Sequence, residues 1–252
     1  MRDPHTFTLI HCRRRSLGNI LSSMWFTIAT CILFQITAIA QNSNPYNLPV
    51  VSDTAAYAAQ CRADSNNLMV DLAFYAPDIQ LDIRYATFEN FTGQILYPEA
   101  KAFVRLPVAK ALKRVQEDLS SKGVGLKIYD AYRPYSVTLR MWDIMGDTNY
   151  VAAPWLGSRH NRGCAVDVTV IDSVSGNELE MPTVFDEFGP RSSANYPDLP
   201  PMIMENRNAL IEVMRRYGFQ VLETEWWHFD FEGWEKFPLM DISFSDLDDL
   251  DE

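Results

Sequence analysis

The sequence predicts an α+β fold with a mainly antiparallel central sheet and flanking helices. Short alternating runs suited to strands are interspersed with runs at helical spacing, and the two do not alternate as regular βαβ units. An apolar share of 47% and an aromatic share of 12% over 252 residues fill the core of one domain of ordinary size.

The folded body begins at Met69, with residues 69–240 as the candidate catalytic domain. Residues 78–85 alternate apolar and polar side chains, as a half-buried strand does. Over 106–119, Pro107 opens a helix with Val108, Ala111, Leu112, Val115 and Leu119 on one face, and Gly123 and Gly125 close it. Residues 126–130 form a second short strand running into the turn at Ala131 to Pro134, and 137–145 a further helix. Residues 165–171 read as a strand with Val166, Val168 and Val170 on one face and Asp167 and Thr169 on the other. Residues 197–201 are a proline-rich loop, 205–217 a helix stopped by Gly218, and 226–231 the last strand.

The two ends differ from this body. Arg13, Arg14 and Arg15 precede an apolar run over 25–40 that closes Ala38-Ile39-Ala40, the pattern of a secretory signal peptide over residues 1–40. A retained single-pass anchor is the alternative, although the run is short for a span. Cys31 sits in that run behind a poor lipoprotein lead-in, so no lipid anchor is expected. Residues 41–68, rich in Asn, Ser, Ala and Pro, read as a linker or N-terminal arm. Residues 241–252 read as an acidic C-terminal tail, with 246–252 as its solvated, frayed end.

Cleavage after residue 40 removes four arginines and one aspartate from 22 basic and 33 acidic residues, leaving 18 and 32, a net charge of −14. So acidic a domain repels phosphate backbones, which argues against nucleic acid as a partner. A signal peptide places the protein in the periplasm or outside the cell, with no stable membrane anchor after cleavage. There Cys61 and Cys164 could pair if their backbones approach closely enough. Cys164 could also be imagined as a metal thiolate, against the plainer reading of a small buried residue.

His160 and His228 are the only histidines beyond residue 11, and each lies near a carboxylate, Asp167 and Glu225. Two imidazoles and one carboxylate make a three-ligand catalytic zinc site with a fourth position for water, and a further glutamate is the usual general base. Taken singly, Asp167 could cap locally and His160 could be an exposed loop residue; their coincidence points to metal. Gly163 supplies a turn able to fold His160 back toward Asp167. A regular strand would turn Glu225 and His228 to opposite faces, so if both serve one zinc the backbone must bend or bulge near Glu225. Trp226 and Trp227 are core or cleft wall.

Asp130-Ala131-Tyr132-Arg133-Pro134, the Ser158, His160, Gly163, Ala165, Asp167 block and Glu225-Trp226-Trp227-His228 together resemble the zinc D-alanyl-D-alanine dipeptidases. That family includes the vancomycin-resistance dipeptidase and is related to the zinc D,D-carboxypeptidases. The blocks at 85–93 and at Phe185, Asp186, Arg191 and Ser192 extend the likeness over about residues 78–231. Gly189-Pro190 departs from the family pattern, which has an acidic residue before the arginine. The resemblance implies a zinc D,D-peptidase/Hedgehog-like fold and one Zn²⁺ per chain on His160, Asp167 and His228. It implies Glu225 as general base and Arg133 as holder of the developing oxyanion. Asp186 matches the position that receives the dipeptide's ammonium, and Tyr85 and Ser158 match substrate-binding hydroxyls. The implied reaction splits D-Ala-D-Ala into two D-alanines. A zinc D,D-carboxypeptidase acting on peptidoglycan stem peptides and a non-catalytic zinc-containing binding module are the alternatives. Asp186 speaks against the first and the retention of Glu225 and Arg133 against the second.

Overall fold

A computed structural model describes residues 44–250. The expected signal peptide, with His5, His11 and Cys31, lies outside them, as do residues 251 and 252. From the N-terminal side come β1 (Val50–Val51), α1 (Thr54–Ala63), β2 (Met69–Asp71), α2 (Leu72–Tyr75), β3 (Gln80–Leu81), β4 (Phe103–Arg105) and α3 (Leu106–Ser120). There follow β5 (Val124–Asp130), α4 (Tyr135–Met145), β6 (Ala165–Asp172) and α5 (Pro201–Arg216). The chain closes with β7 (Phe219–Leu222), β8 (Glu225–Phe231), β9 (Leu239–Met240) and α6 (Phe244–Asp248).

The central sheet has five strands in the order β3-β5-β6-β8-β7. Only the β3–β5 pair is parallel; the other three pairs are antiparallel, so the fold is α+β as predicted. Two-stranded ladders, β1 with β9 and β2 with β4, flank it. β6 is central and buried on both faces, as its run of valines requires. Helix α3 buries Val108, Ala111, Leu112, Val115 and Leu119 against β5, the face its spacing predicted. Pro107 sits in its first turn, where a missing N–H costs nothing.

Several elements differ from expectation, three of them near the sheet. The strand expected over 78–85 pairs only at Gln80 and Leu81; Arg84–Ala86 then coils into a 3₁₀ turn that drives Tyr85 into the interior. Helix α5 starts at Pro201, inside the stretch read as loop, because a proline at the first helical position fits a helix as well as a turn. Strand β7 was not foreseen: only Phe219 of its four residues is fully buried, too little for a visible alternation.

Both ends of the described chain are docked. In the polar stretch expected as a linker or arm, Asp53 caps α1 by accepting the Ala56 N–H at 2.7 Å, and buried Tyr57 accepts the Met69 N–H at 2.7 Å. In the acidic segment, Ile242, Phe244 and Leu247 are buried, and the Phe244 ring centroid lies 5.1 Å from that of Tyr97. Asp241 accepts from Ser136 N–H at 2.9 Å and from its hydroxyl at 2.7 Å, capping α4. The acidic segment is thus part of the fold through α6, as far as Asp248, because a few apolar side chains outweigh its acidic surroundings. Arg105 ties arm to body: its buried guanidinium donates to Asn67 O at 2.5 Å and Arg162 O at 2.8 Å. No helix among the described residues is long and apolar enough to cross a membrane.

Candidate metal centre and peptide cleft

Strand register builds the centre. β6 and β8 run antiparallel with Asp167 directly opposite His228, so their side chains emerge side by side. His160 arrives from the 3₁₀ turn His160–Arg162, which Gly163 ends at φ 68°. The left-handed backbone conformation favours glycine there, and a Cβ would in addition fall 2.6 Å from the end of the Met69 side chain, which would have to shift.

The three predicted ligands converge. His228 Nδ1 lies 3.1 Å from Asp167 Oδ1 and 3.2 Å from His160 Nε2, and His160 Nε2 lies 3.5 Å from Asp167 Oδ1. All three residues are buried. The outer nitrogens fix the tautomers: His160 Nδ1–H donates to Ala131 O at 2.7 Å, and His228 Nε2–H donates to the Asp230 carboxylate at 3.0 Å. Both inner nitrogens therefore turn lone pairs toward each other and toward a carboxylate, an arrangement that calls for a cation. A tetrahedral ion with bonds of about 2.0–2.2 Å holds its ligands about 3.3–3.6 Å apart, close to the spacing seen. The residues fit a metal.

The other predicted residues line the same cleft, of about 300 Å³. The expected break near Glu225 is present: β7 and β8 lose register between Val221 and Leu222, and Leu222 pairs with Glu225. Glu225 Oε2 consequently reaches 4.0 Å from His228 Nδ1. Burial raises the Glu225 carboxyl, partly offset by His228. Arg133 is buried, its Nε and Nη2 donating to Asp130 Oδ2 at 3.1 and 2.7 Å, with its guanidinium 5.1 Å from the Tyr85 ring centre. Ser158 Oγ accepts the His160 N–H at 3.2 Å.

Asp186 is held in the left-handed region at φ 62°, a strained conformation for a residue with a Cβ. Tyr85 O–H donates to its Oδ1 at 3.2 Å, while its buried Oδ2 has no partner. Burial pushes this carboxyl well above its usual range, Asp167 adds to the rise, and Arg133 pulls the other way. An unpartnered buried carboxylate oxygen at the cleft wall suits a ligand that brings a positive charge.

Trp227 lines the cleft and Trp226 donates from Nε1 to Thr183 Oγ1 at 2.9 Å, which makes one cleft wall and the other core. Phe188 touches Phe91 and Tyr150 edge to face, at centroid distances of 5.6 and 5.0 Å, and all three line the cleft. Cys164 is buried away from the metal group; burial pushes its thiol up to about 12, and both Cys61 and Cys164 are free.

Four residues that support the site were given no role by the sequence reading. A one-residue bulge at Tyr129 brings Asp130 into register with Asp167, where it accepts from Tyr97 O–H at 2.6 Å as well as from Arg133. Asn161 is wholly buried, donating from Nδ2 to Arg133 O and Thr138 Oγ1, both at 2.8 Å, and accepting the Ser158 N–H at 2.7 Å. Ser192 Oγ lies 3.0 Å from Thr224 O, bracing the approach to Glu225, and Asp230 holds His228. Asp130 and Asn161 stand inside the recognised sequence blocks, and that position was the available signal.

Comparison with known proteins places the chain in a family. A family model described as D-Ala-D-Ala dipeptidase, of the M15 peptidases, matches residues 65–245. The D-alanyl-D-alanine dipeptidase of Escherichia coli K12 is 37% identical over 177 residues, covering 70% of this chain and 91% of its own length. That of Enterococcus faecalis is 29% identical over 174 residues, covering 60% and 85%. Among solved structures, VanYB in complex with D-alanine-D-alanine aligns over 54% of this chain and 75% of its own, with a TM-score of 0.36 and 17% identity. The chain belongs to the D-Ala-D-Ala dipeptidase family of the M15 peptidases.

Proposed function

We propose that this protein is a zinc-dependent dipeptidase that hydrolyses D-Ala-D-Ala to two D-alanines. The observation that carries the reading is the pairing of two features in one small cleft. Inner nitrogens of His160 and His228 converge with Asp167 as metal donors, and the buried Oδ2 of Asp186 waits for a cation. Family membership and the 37% identical relative support the same substrate.

His160, Asp167 and His228 would hold the zinc, which when bound supplies Lewis acidity to the scissile carbonyl and to water. Glu225 takes the proton of the attacking water on its carboxylate and returns it to the departing amine. A carboxyl raised by burial is suited to hold a proton between those two steps. Arg133, kept charged and oriented by Asp130, faces the oxygen that gains negative charge. Asp186 receives the substrate ammonium, with Tyr85 steadying its other oxygen and Ser158 offering a hydroxyl to the substrate. An N-acylated stem peptide has no such charge, so Asp186 would stay buried and unpaired, which disfavours a D,D-carboxypeptidase. The signal-peptide pattern supports a periplasmic or secreted location.

The reading is tested by D-alanine release from D-Ala-D-Ala with and without a chelator. Chelator-sensitive release restored by zinc is expected. Release that persists after complete metal removal, or none from a zinc-loaded protein, contradicts it.

A further inference from the structure

Asp230 stands two residues beyond His228 on β8, so strand alternation sets both side chains on one face. Its backbone is locked inside the sheet, opposite Ala165 on β6 and Gln220 on β7. The side chain is 14% exposed, little enough that its 3.0 Å hydrogen bond from His228 Nε2 meets weak competition from water. A carboxylate only accepts, so the His228 proton stays on Nε2 and Nδ1 is left to face Asp167 and His160. His160 is fixed in the opposite tautomer by Ala131 O. Asp230 is held in turn: its Oδ2 lies 3.5 Å from Arg159 Nε, and that guanidinium rests 4.7 Å over the Trp234 ring.

We propose that Asp230 is a positioning residue of the metal centre, fixing the ring orientation and tautomer of His228 and strengthening Nδ1 as a donor. A neutral carbonyl would fix a tautomer equally well; a carboxylate adds negative charge, which raises the basicity of the ligating nitrogen. The arrangement also explains why Arg159 lies beside a metal ligand: it orients Asp230 rather than the imidazole. The inference rests on the metal reading above and is independent of the substrate.

The test is the zinc affinity of the full chain, measured by competition with a chromophoric chelator, for wild type, Asp230→Ala and Asp230→Asn. Melting of each metal-free protein is followed alongside. Asp230→Ala is expected to lose about tenfold to a hundredfold in affinity, the usual effect of removing such a partner. Asp230→Asn, which keeps an acceptor oxygen for His228 Nε2–H, should lose less, with a metal-free melting temperature close to that of wild type. Equal zinc affinity in all three proteins overturns the inference, as does a loss that merely follows metal-free stability. Should Asp230→Ala not fold, Asp230→Asn decides: unchanged affinity with a cobalt absorption spectrum identical to wild type overturns it. Failure of the wild type to bind zinc overturns the metal reading itself, a result distinct from either.

Discussion

The two ends of the cleft are built on opposite principles. At the metal end, Asp167 and His228 sit on paired central strands, and both outer imidazole nitrogens are satisfied by fixed acceptors. At the other end, Asp186 projects from a loop in a left-handed backbone conformation, and one of its buried oxygens has no partner. The first is organised by the fold. The second stores unfavourable energy that, under the proposed function, a cationic group would relieve, which would divide rigidity for the metal from strain for recognition.

The comparison is broken most severely at the metal end. His228→Ala removes a donor from a three-donor set and should abolish both stoichiometric zinc binding and turnover; metal analysis beside an activity assay checks it. Glu225→Ala separates chemistry from structure: about 10²–10⁴-fold should be lost in kcat, with zinc content unchanged. Near-normal kcat would remove Glu225 from the proton-transfer role.

At the recognition end the signs reverse between function and stability. Asp186→Asn should raise KM for the free dipeptide about tenfold or more, yet stabilise the metal-free protein by roughly 1–3 kcal/mol by removing a buried carboxyl whose ionisation its surroundings oppose. Asp186 has a folded pKa above its unfolded one, so the native state binds the extra proton and wild-type stability falls as pH rises above the ordinary carboxylate range. The stability gap between variant and wild type should therefore close toward acid pH. Chemical denaturation at acid and neutral pH reads this; a variant less stable than wild type at neutral pH would contradict the stored-energy account. The smallest effect expected lies outside the cleft. With its thiol raised to about 12, Cys164 should resist alkylation in the native protein while half-exposed Cys61 reacts, as peptide mapping after iodoacetamide would show.

The same contrast explains what could be read from the sequence. The metal donors were legible because two histidines beside carboxylates are rare in an otherwise histidine-free stretch, and the valine alternation of β6 already turned Asp167 away from the apolar face. The helix α3 followed from spacing alone, and the break near Glu225 from requiring Glu225 and His228 to serve one zinc. Asp130 and Asp230 were not legible as supports, since their roles depend on a bulge at Tyr129 and on the register of β8. The arm and the tail misled for a simpler reason: Tyr57 in one, and Ile242, Phe244 and Leu247 in the other, are too few apolar residues to lift a polar segment out of the background, yet each is buried.

The most direct measurement is the preference between free D-Ala-D-Ala and N-acetyl-D-Ala-D-Ala, as the ratio of kcat/KM values, in zinc-loaded wild type and Asp186→Asn. A metal centre organised by the sheet and an ammonium anchor on a strained loop predict a strong wild-type preference for the free dipeptide that largely disappears in the variant. An unchanged preference, or a wild type that favours the acylated peptide, would contradict that division of labour.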